Sequence, residues 1–239
     1  MTQEDSGRSN RGRTLWLLLV VAIAPSLGTL SALWWWKGAI GGTVYAACKI
    51  VLYGVPLVVA WRTISKSQVK KGIQSGLRRG PLLAGFGSGL LIFGVVLVGW
   101  FGFLQGRLDT SALMDVVEAN GLRSPGRYVA MALWMSFGNA LAEEFVFRWF
   151  VDSRLKKLGV PLILAVPLSA LIFTAHHVLV LAAYFAVLET ILFSLGVFAG
   201  GVLWSLMLRR WGSLLPVWIS HALVDLVIFL VGWTMLFSS

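Results

Sequence analysis

The sequence has only one cysteine, Cys48, which excludes an internal disulfide and any zinc-binding cluster of several cysteines. It is also poor in charged residues, which make up 13% of its 239 positions and are too few to cover an ordinary soluble domain. The remainder is strongly apolar, with 58% hydrophobic residues and a mean hydropathy of +0.83. This composition predicts an all-α fold, a polytopic bundle of transmembrane helices.

Acidic residues are scarce, with 10 Asp and Glu against 20 Lys and Arg, so the net charge is +10. In a soluble protein such an excess would suggest a nucleic-acid partner. In a membrane protein it is typical of basic loops that hold the topology on the cytoplasmic side, so we expect the lipid bilayer as a partner and no nucleic acid. The loop 62–81 has no acid and six basic residues, namely Arg62, Lys66, Lys70, Lys71, Arg78 and Arg79.

This basic loop is predicted to be cytoplasmic, and the N-terminal tail 1–14 then lies on the same side of the membrane. About seven spans are expected, within a range of six to eight, at 15–36, 38–61, 82–104, 128–157, 161–177, 190–208 and 216–237. The stretch 178–188 is too short to cross and is either an extension of the fifth span or a re-entrant piece. Residues 15–104 supply the first three helices, and 105–239 form the predicted functional core.

The fourth predicted span contains charged residues where lipid-facing residues should be apolar. Glu143, Glu144 and Arg148 lie within an otherwise apolar stretch. Each charge at the centre of a bilayer costs roughly 3 kcal/mol, so these groups are expected to face a polar interior. Ionisable side chains inside a membrane span indicate a functional site.

Helical spacing pairs the polar residues of three spans. Residues four apart lie about 40° apart around a helix, so Asn139 shares a face with Glu143, and Glu144 shares one with Arg148. By the same rule Phe173 lies with His177 and His221 lies with Asp225. Two interpretations of Glu144 and Arg148 are open. They form an ion pair with a structural role only, or their pairing leaves Glu143 available to act as a base. Glu143 and His177 are nearly equally far from the turn at Gly159, which predicts a common depth.

A glutamate and a histidine that converge can hold and deprotonate a water molecule, and a second histidine can stabilise an oxyanion. No serine in a Gly-x-Ser-x-Gly setting and no well-placed cysteine offers a nucleophile. Zinc competes as an explanation because histidine and glutamate are common zinc ligands, but no His-Glu-x-x-His helix is present. The prediction is therefore metal-independent chemistry with no cofactor, with zinc as the disfavoured alternative.

Three motifs in order carry a family resemblance: Glu143-Glu144-x-x-x-Arg148, Phe173-x-x-x-His177 and His221-x-x-x-Asp225. Together they resemble the CAAX protease and bacteriocin-processing (CPBP, abortive-infection-type) family of glutamic intramembrane endopeptidases. The resemblance covers about residues 104–230. It implies a hydrolase of the CAAX prenyl protease 2 type that carries out intramembrane proteolysis on a membrane-embedded or C-terminally processed protein or peptide.

The resemblance also implies residue roles. Glu143 would be the general base that activates water, assisted by His177, and His221 with Asp225 would form the oxyanion hole. Glu144 and Arg148 would shape the site, as would the face partners Asn139 and Phe173. The prenyl-processing members usually have Asn at the position of Asp225, and an ionised Asp cannot donate to an oxyanion. Asp225 would then either orient His221 or act in its protonated form.

Two alternatives remain beside the protease. One is a non-catalytic immunity or scaffold protein that binds a peptide or lipidated tail in the same cavity, and the other is a transporter or proton relay built on the Glu/His groups. The basic N-terminus, the compact size and the lack of an organellar signal are typical of a bacterial inner-membrane protein. A pheromone, a bacteriocin leader or a sorting tail is then favoured over a prenylated substrate.

Overall fold

In the computed structural model, residues 3–36 and 38–237 are described, and for 3–9 the description covers the backbone alone. All the regular elements in these ranges are helices, which confirms the all-α prediction. Lys37, directly after the first predicted span, lies outside the described residues, as do Met1 and Thr2 of the predicted tail. From Gln3 onward that tail is helical and continuous with the first span.

Six helical segments in the described ranges are long and apolar enough to cross a membrane, in agreement with a prediction of about seven spans. The first three consist of α1 (Gln3–Leu30) with a π-helical turn at Ser31–Trp35, α2 (Ala39–Thr63), and α4 (Arg79–Gly99) with a π-helical turn at Trp100–Leu104. The last three are α9 (Leu162–Ala182), α10 (Val187–Trp211) and α11 (Leu214–Phe237). Because α9 reaches Ala182 and α10 begins at Val187, most of 178–188 extends these two helices.

The remaining predicted span, 128–157, is a run of short α and π segments. These are α6 (Pro125–Leu133), a π segment at Trp134–Asn139, α7 (Ala140–Glu143), a π segment at Glu144–Val151 and α8 (Asp152–Lys157). A π segment bonds i to i+5 rather than i+4, so each one shifts the faces that an ideal α-helix would align. Such insertions are frequent at functional sites, and the charged residues lie at one of them.

Two short helices lie between the spans. The basic loop predicted at 62–81 contains α3 (Lys66–Gly76). The second is α5 (Ser111–Ala119), and Oδ1 of Asp109 accepts a 3.0 Å hydrogen bond from the Ser111 backbone N–H at its start. The predicted turn at Gly159 is confirmed, since its φ of +79° is a conformation that glycine adopts without strain.

The chain divides into two compact units, Met1–Gln68 with Phe145–Leu206 and Val69–Glu144 with Met207–Ser239. The sequence analysis divides the chain differently, into a tail (1–14), the first three helices (15–104) and a functional core (105–239). That division describes function and not packing, and it stays a prediction. In the first unit α1 packs against α2, α8 and α9. The hydroxyl of Ser169 on α9 donates a 2.8 Å hydrogen bond to the carbonyl of Phe147.

In the second unit α4 packs closely against α11, and glycines make this approach possible. A Cβ atom added at Gly85 would lie 2.7 Å from the Pro216 carbonyl oxygen, and one at Gly89 would lie 2.7 Å from a methyl of Leu223. Small residues four apart are the usual means by which membrane helices come together. Beside this contact, the hydroxyls of α4 Ser88 and α11 Ser220 are 3.0 Å apart.

Candidate active site

His221 lies on α11, one residue after the Ser220 that bonds to α4, and 4% of its surface is exposed. The close packing of α4 and α11 therefore fixes the backbone from which the imidazole extends. A histidine buried to this degree needs polar partners for its ring nitrogens. The second unit supplies carboxylates to both of them.

The Nδ1 atom of His221 lies 2.8 Å from Oε1 of Glu144, whose side chain has no exposed surface. A carboxylate accepts hydrogen bonds and does not donate them, so with Glu144 ionised the proton resides on Nδ1. Charge-assisted hydrogen bonds of this length are among the stronger ones in proteins. Glu144 thereby fixes the orientation of the His221 ring, a contact that the helical-face analysis did not identify.

The other ring nitrogen of His221, Nε2, faces two further carboxylates. Oδ1 of Asp225 is 3.5 Å away and Oε2 of Glu143 is 3.9 Å away. Both distances exceed that of a good hydrogen bond, so Nε2 is less firmly engaged than Nδ1. The predicted shared face of His221 and Asp225 is confirmed, and the two adjacent glutamates approach opposite nitrogens of one imidazole.

The position of Glu143 and Glu144 follows from the irregular helix that carries them. Glu143 ends the four-residue helix α7, and Glu144 begins the π segment that follows. Both side chains are buried. Asn139, predicted on the Glu143 face, ends the preceding π segment and is partly exposed.

In the first unit, the hydrogen bond of His177 determines its tautomer. Its Nδ1 lies 2.9 Å from the backbone carbonyl oxygen of Phe173, and a carbonyl oxygen can only accept. The proton is therefore on Nδ1, and the neutral ring presents a lone pair at Nε2. The rings of the two residues are 4.5 Å apart, which confirms that they share a face.

Arg148 is fully buried in the first unit, and its guanidinium lies over aromatic rings. Its Cζ atom is 4.5 Å from the centre of the Phe173 ring and 5.5 Å from that of Trp204. A guanidinium stacked in this way gains a cation–π attraction that is largest away from water. Trp204 was not identified from the sequence, because one tryptophan in an apolar span has no pattern that distinguishes it.

His176 is buried beside His177, and its ring stacks on that of Phe147 at 5.7 Å with 14° between the planes. As the next residue along α9, His176 is rotated about 100° from His177 around the helix. The pairing of Glu144 with Arg148, the common depth of Glu143 and His177, and the assigned roles stay predictions. Imidazole and carboxylate are also zinc ligands, so metal-free chemistry stays a prediction as well.

A comparison with known families matches residues 125–227 to the type II CAAX prenyl endopeptidase Rce1-like family. The matched segment holds all three motifs, from Glu143 to Asp225. No curated protein and no solved structure gives a significant match to the chain. The motifs and the helical membrane architecture agree with this match. Residues 125–227 therefore match an Rce1-like domain, in agreement with the family resemblance of the three motifs.

Proposed function

We propose that the protein is a glutamic-type intramembrane endopeptidase that cleaves a peptide bond of a membrane-associated or lipidated substrate with a water molecule activated by Glu143 and His177. The observation that carries this proposal is His221, buried among Glu143, Glu144 and Asp225 within a domain of a protease family. A membrane protein that buries an imidazole with several carboxylates bears a large desolvation cost, which function explains better than stability.

Glu143 is the general base. Its carboxylate takes a proton from water as the oxygen attacks the carbonyl carbon of the scissile bond. His177 assists through Nε2, whose lone pair accepts a hydrogen bond from the same water because Nδ1 donates to the Phe173 carbonyl. When the tetrahedral intermediate collapses, the C–N bond breaks and Glu143 returns the proton to the leaving amine nitrogen.

His221 stabilises the oxyanion of this intermediate. Because Nδ1 is held by Glu144, a protonated Nε2 is the nitrogen that donates to the negatively charged oxygen. Asp225 lies 3.5 Å from Nε2 and keeps the ring from rotating rather than donating itself. Loss of a single oxyanion donor reduces kcat by about 10²–10³-fold in other hydrolases. A decrease in kcat of this size is expected when His221 is replaced.

Arg148, Phe173 and Asn139 shape the site. The chemistry needs no metal, since the carboxylate supplies the base and the imidazole supplies the electrophilic donor. The substrate reaches the site from the bilayer and is a peptide with a lipid or transmembrane anchor. The acid-free basic loop at 62–81 places the N-terminus in the cytoplasm in this proposal, and the membrane is taken to be a bacterial inner membrane.

The test is cleavage of a panel of membrane-tethered peptides by the purified chain, in the presence and absence of a strong zinc chelator. Wild type is compared with Glu143→Ala, His177→Ala and His221→Ala, and with Glu118→Ala as a control at an exposed acid outside the motifs. The proposal predicts chelator-resistant cleavage that only the three motif variants lose. Chelator-sensitive cleavage would assign the site to zinc, and binding without cleavage by folded wild type would favour the scaffold alternative.

A further inference from the structure

A basic cavity of about 240 Å³ lies in the first unit, between the start of α1, the end of α2 and the end of α8. Among the residues whose side chains the structure describes, the lining has four cations and no acid. It consists of Asn10, Arg13, Thr14, Leu17, Val59, Arg62, Thr63, Arg154 and Lys157. None of these residues has a part in the proposed hydrolysis. The lining therefore defines a second site, and its charge selects an anion.

Arg154 is the most informative residue of this cavity, because only 6% of its surface is exposed. Its Nε and Nη2 atoms each lie 3.3 Å from the Ser153 hydroxyl, and its Cζ atom lies 5.2 Å from the centre of the Phe150 ring. Within the described part of the chain, neither of these neighbours is anionic. A buried guanidinium is destabilising unless a counter-charge accompanies it, so this cavity favours an anion from outside the chain.

An apolar groove of about 310 Å³ adjoins the cavity on α2 and is lined by Leu57, Val58, Trp61 and Arg62. Arg62 lines both spaces, so they are adjacent at that side chain. Trp61 is 90% exposed at the end of a membrane-spanning helix, a position where tryptophan contacts the lipid interface. The combined site suits a molecule with an anionic head and a long apolar tail.

We propose that this cavity binds the phosphate of an anionic phospholipid, with one acyl chain along the groove of Leu57, Val58 and Trp61. Guanidinium groups bind phosphate oxygens in a bidentate fashion, and three of the four cations are arginines. Basic pockets between transmembrane helices are a known type of anionic headgroup site. The groove favours a lipid over free phosphate, which has no apolar part to place there.

The experiment uses the purified full-length chain in detergent micelles and native mass spectrometry to count bound ligand. The probes are dioleoylphosphatidylglycerol, the zwitterionic dioleoylphosphatidylcholine and inorganic phosphate. The variants are Arg154→Gln at the buried position and Arg62→Gln at the exposed rim, which keeps the test informative if Arg154→Gln does not fold. The matched control is Lys70→Gln, an exposed cation of α3 that does not line the cavity.

Saturable binding of phosphatidylglycerol, preferred over phosphatidylcholine, is expected in wild type and in Lys70→Gln. Each arginine variant is expected to weaken it about tenfold, the loss typical of one charge-assisted contact. The proposed site would be overturned if wild type and both arginine variants bound phosphatidylglycerol with equal affinity. It would also be overturned if Lys70→Gln lost as much affinity as the arginine variants. If inorganic phosphate binds with the same affinity as the lipid and displaces it completely, the proposal of a lipid ligand is overturned. Free phosphate would then be the ligand.

Discussion

His221 donates a hydrogen bond from Nδ1 to Oε1 of Glu144 across 2.8 Å, although the two residues are 77 positions apart in the chain. This bond ties α11 to the irregular helix of the acidic motif. It also leaves Nε2 as the ring nitrogen that faces Glu143 and Asp225. The orientation of the imidazole therefore depends on the second glutamate of the pair rather than on the first.

Replacement of Glu144 tests this dependence. Glu144→Ala leaves a buried imidazole without its acceptor, and removal of one partner of a buried pair costs about 3–5 kcal/mol. Glu144→Gln keeps an oxygen acceptor and is expected to cost less than half as much. The measurement is unfolding in micelles, with Glu118→Ala as control because that exposed acid lies 3.5 Å from an exposed Arg123. Equal stability of Glu144→Ala and Glu118→Ala would contradict the account.

Asp225 is predicted to act by holding His221. Asp225→Asn keeps an oxygen near Nε2 and should retain cleavage within about tenfold of wild type, because one lost charge-assisted contact is of that size. Asp225→Leu has a similar volume but no polar atom and should lose about 10²-fold in kcat with little change in KM. Equal loss in both variants would show that the carboxylate itself takes part in the chemistry.

Arg148 tests the importance of the stacked guanidinium. Arg148→Lys keeps the charge but loses the planar group that lies over Phe173 and Trp204, and it should destabilise the fold by about 2 kcal/mol. The matched control is Arg123→Lys, an exposed arginine whose replacement should change stability by less than about 0.5 kcal/mol. Thermal unfolding of the two variants gives the comparison, and equal midpoints would argue against a structural role for the stacking.

The helix contact behind His221 can be tested with glycines from one segment of α4. Gly85→Ala places a Cβ atom 2.7–2.9 Å from backbone atoms of Pro216, whereas Gly87→Ala meets nothing within 4 Å. The first variant should be destabilised by about 1–3 kcal/mol, as overpacked sites are, and the second should match or exceed wild type. The measurement is the unfolding midpoint, and the reverse order would contradict the close packing of α4 on α11.

Much of the fold is predictable from the sequence, because lipid imposes a simple rule on it. Apolar runs of about 20 residues must be helices that bond their own backbone, and turn residues such as Gly159 mark where they end. Local spacing also predicts which residues share a helical face, as His221 with Asp225 and Phe173 with His177 demonstrate. These features depend on residues close together in the chain.

The remaining features depend on distant residues or on irregular backbone. Nothing local to Glu144 indicates that its partner is His221, since the contact requires α11 and the acidic motif to meet in space. The π segments at Trp134–Asn139 and Glu144–Val151 also have no sequence rule, because one extra residue per turn is stabilised by tertiary packing. Spacing rules for an ideal α-helix therefore lose accuracy at the site itself.

The most direct test of the central claim is the cleavage rate of Glu143→Gln relative to wild type on one membrane-tethered peptide. Glutamine preserves the shape of the side chain and cannot accept the proton of the attacking water. The account predicts a loss of at least about 10²-fold in kcat, with folding unchanged and with Glu118→Gln as active as wild type. The account would be contradicted if the folded Glu143→Gln variant cleaved at a rate within about threefold of wild type. That decrease is far smaller than the one expected when a general base is removed.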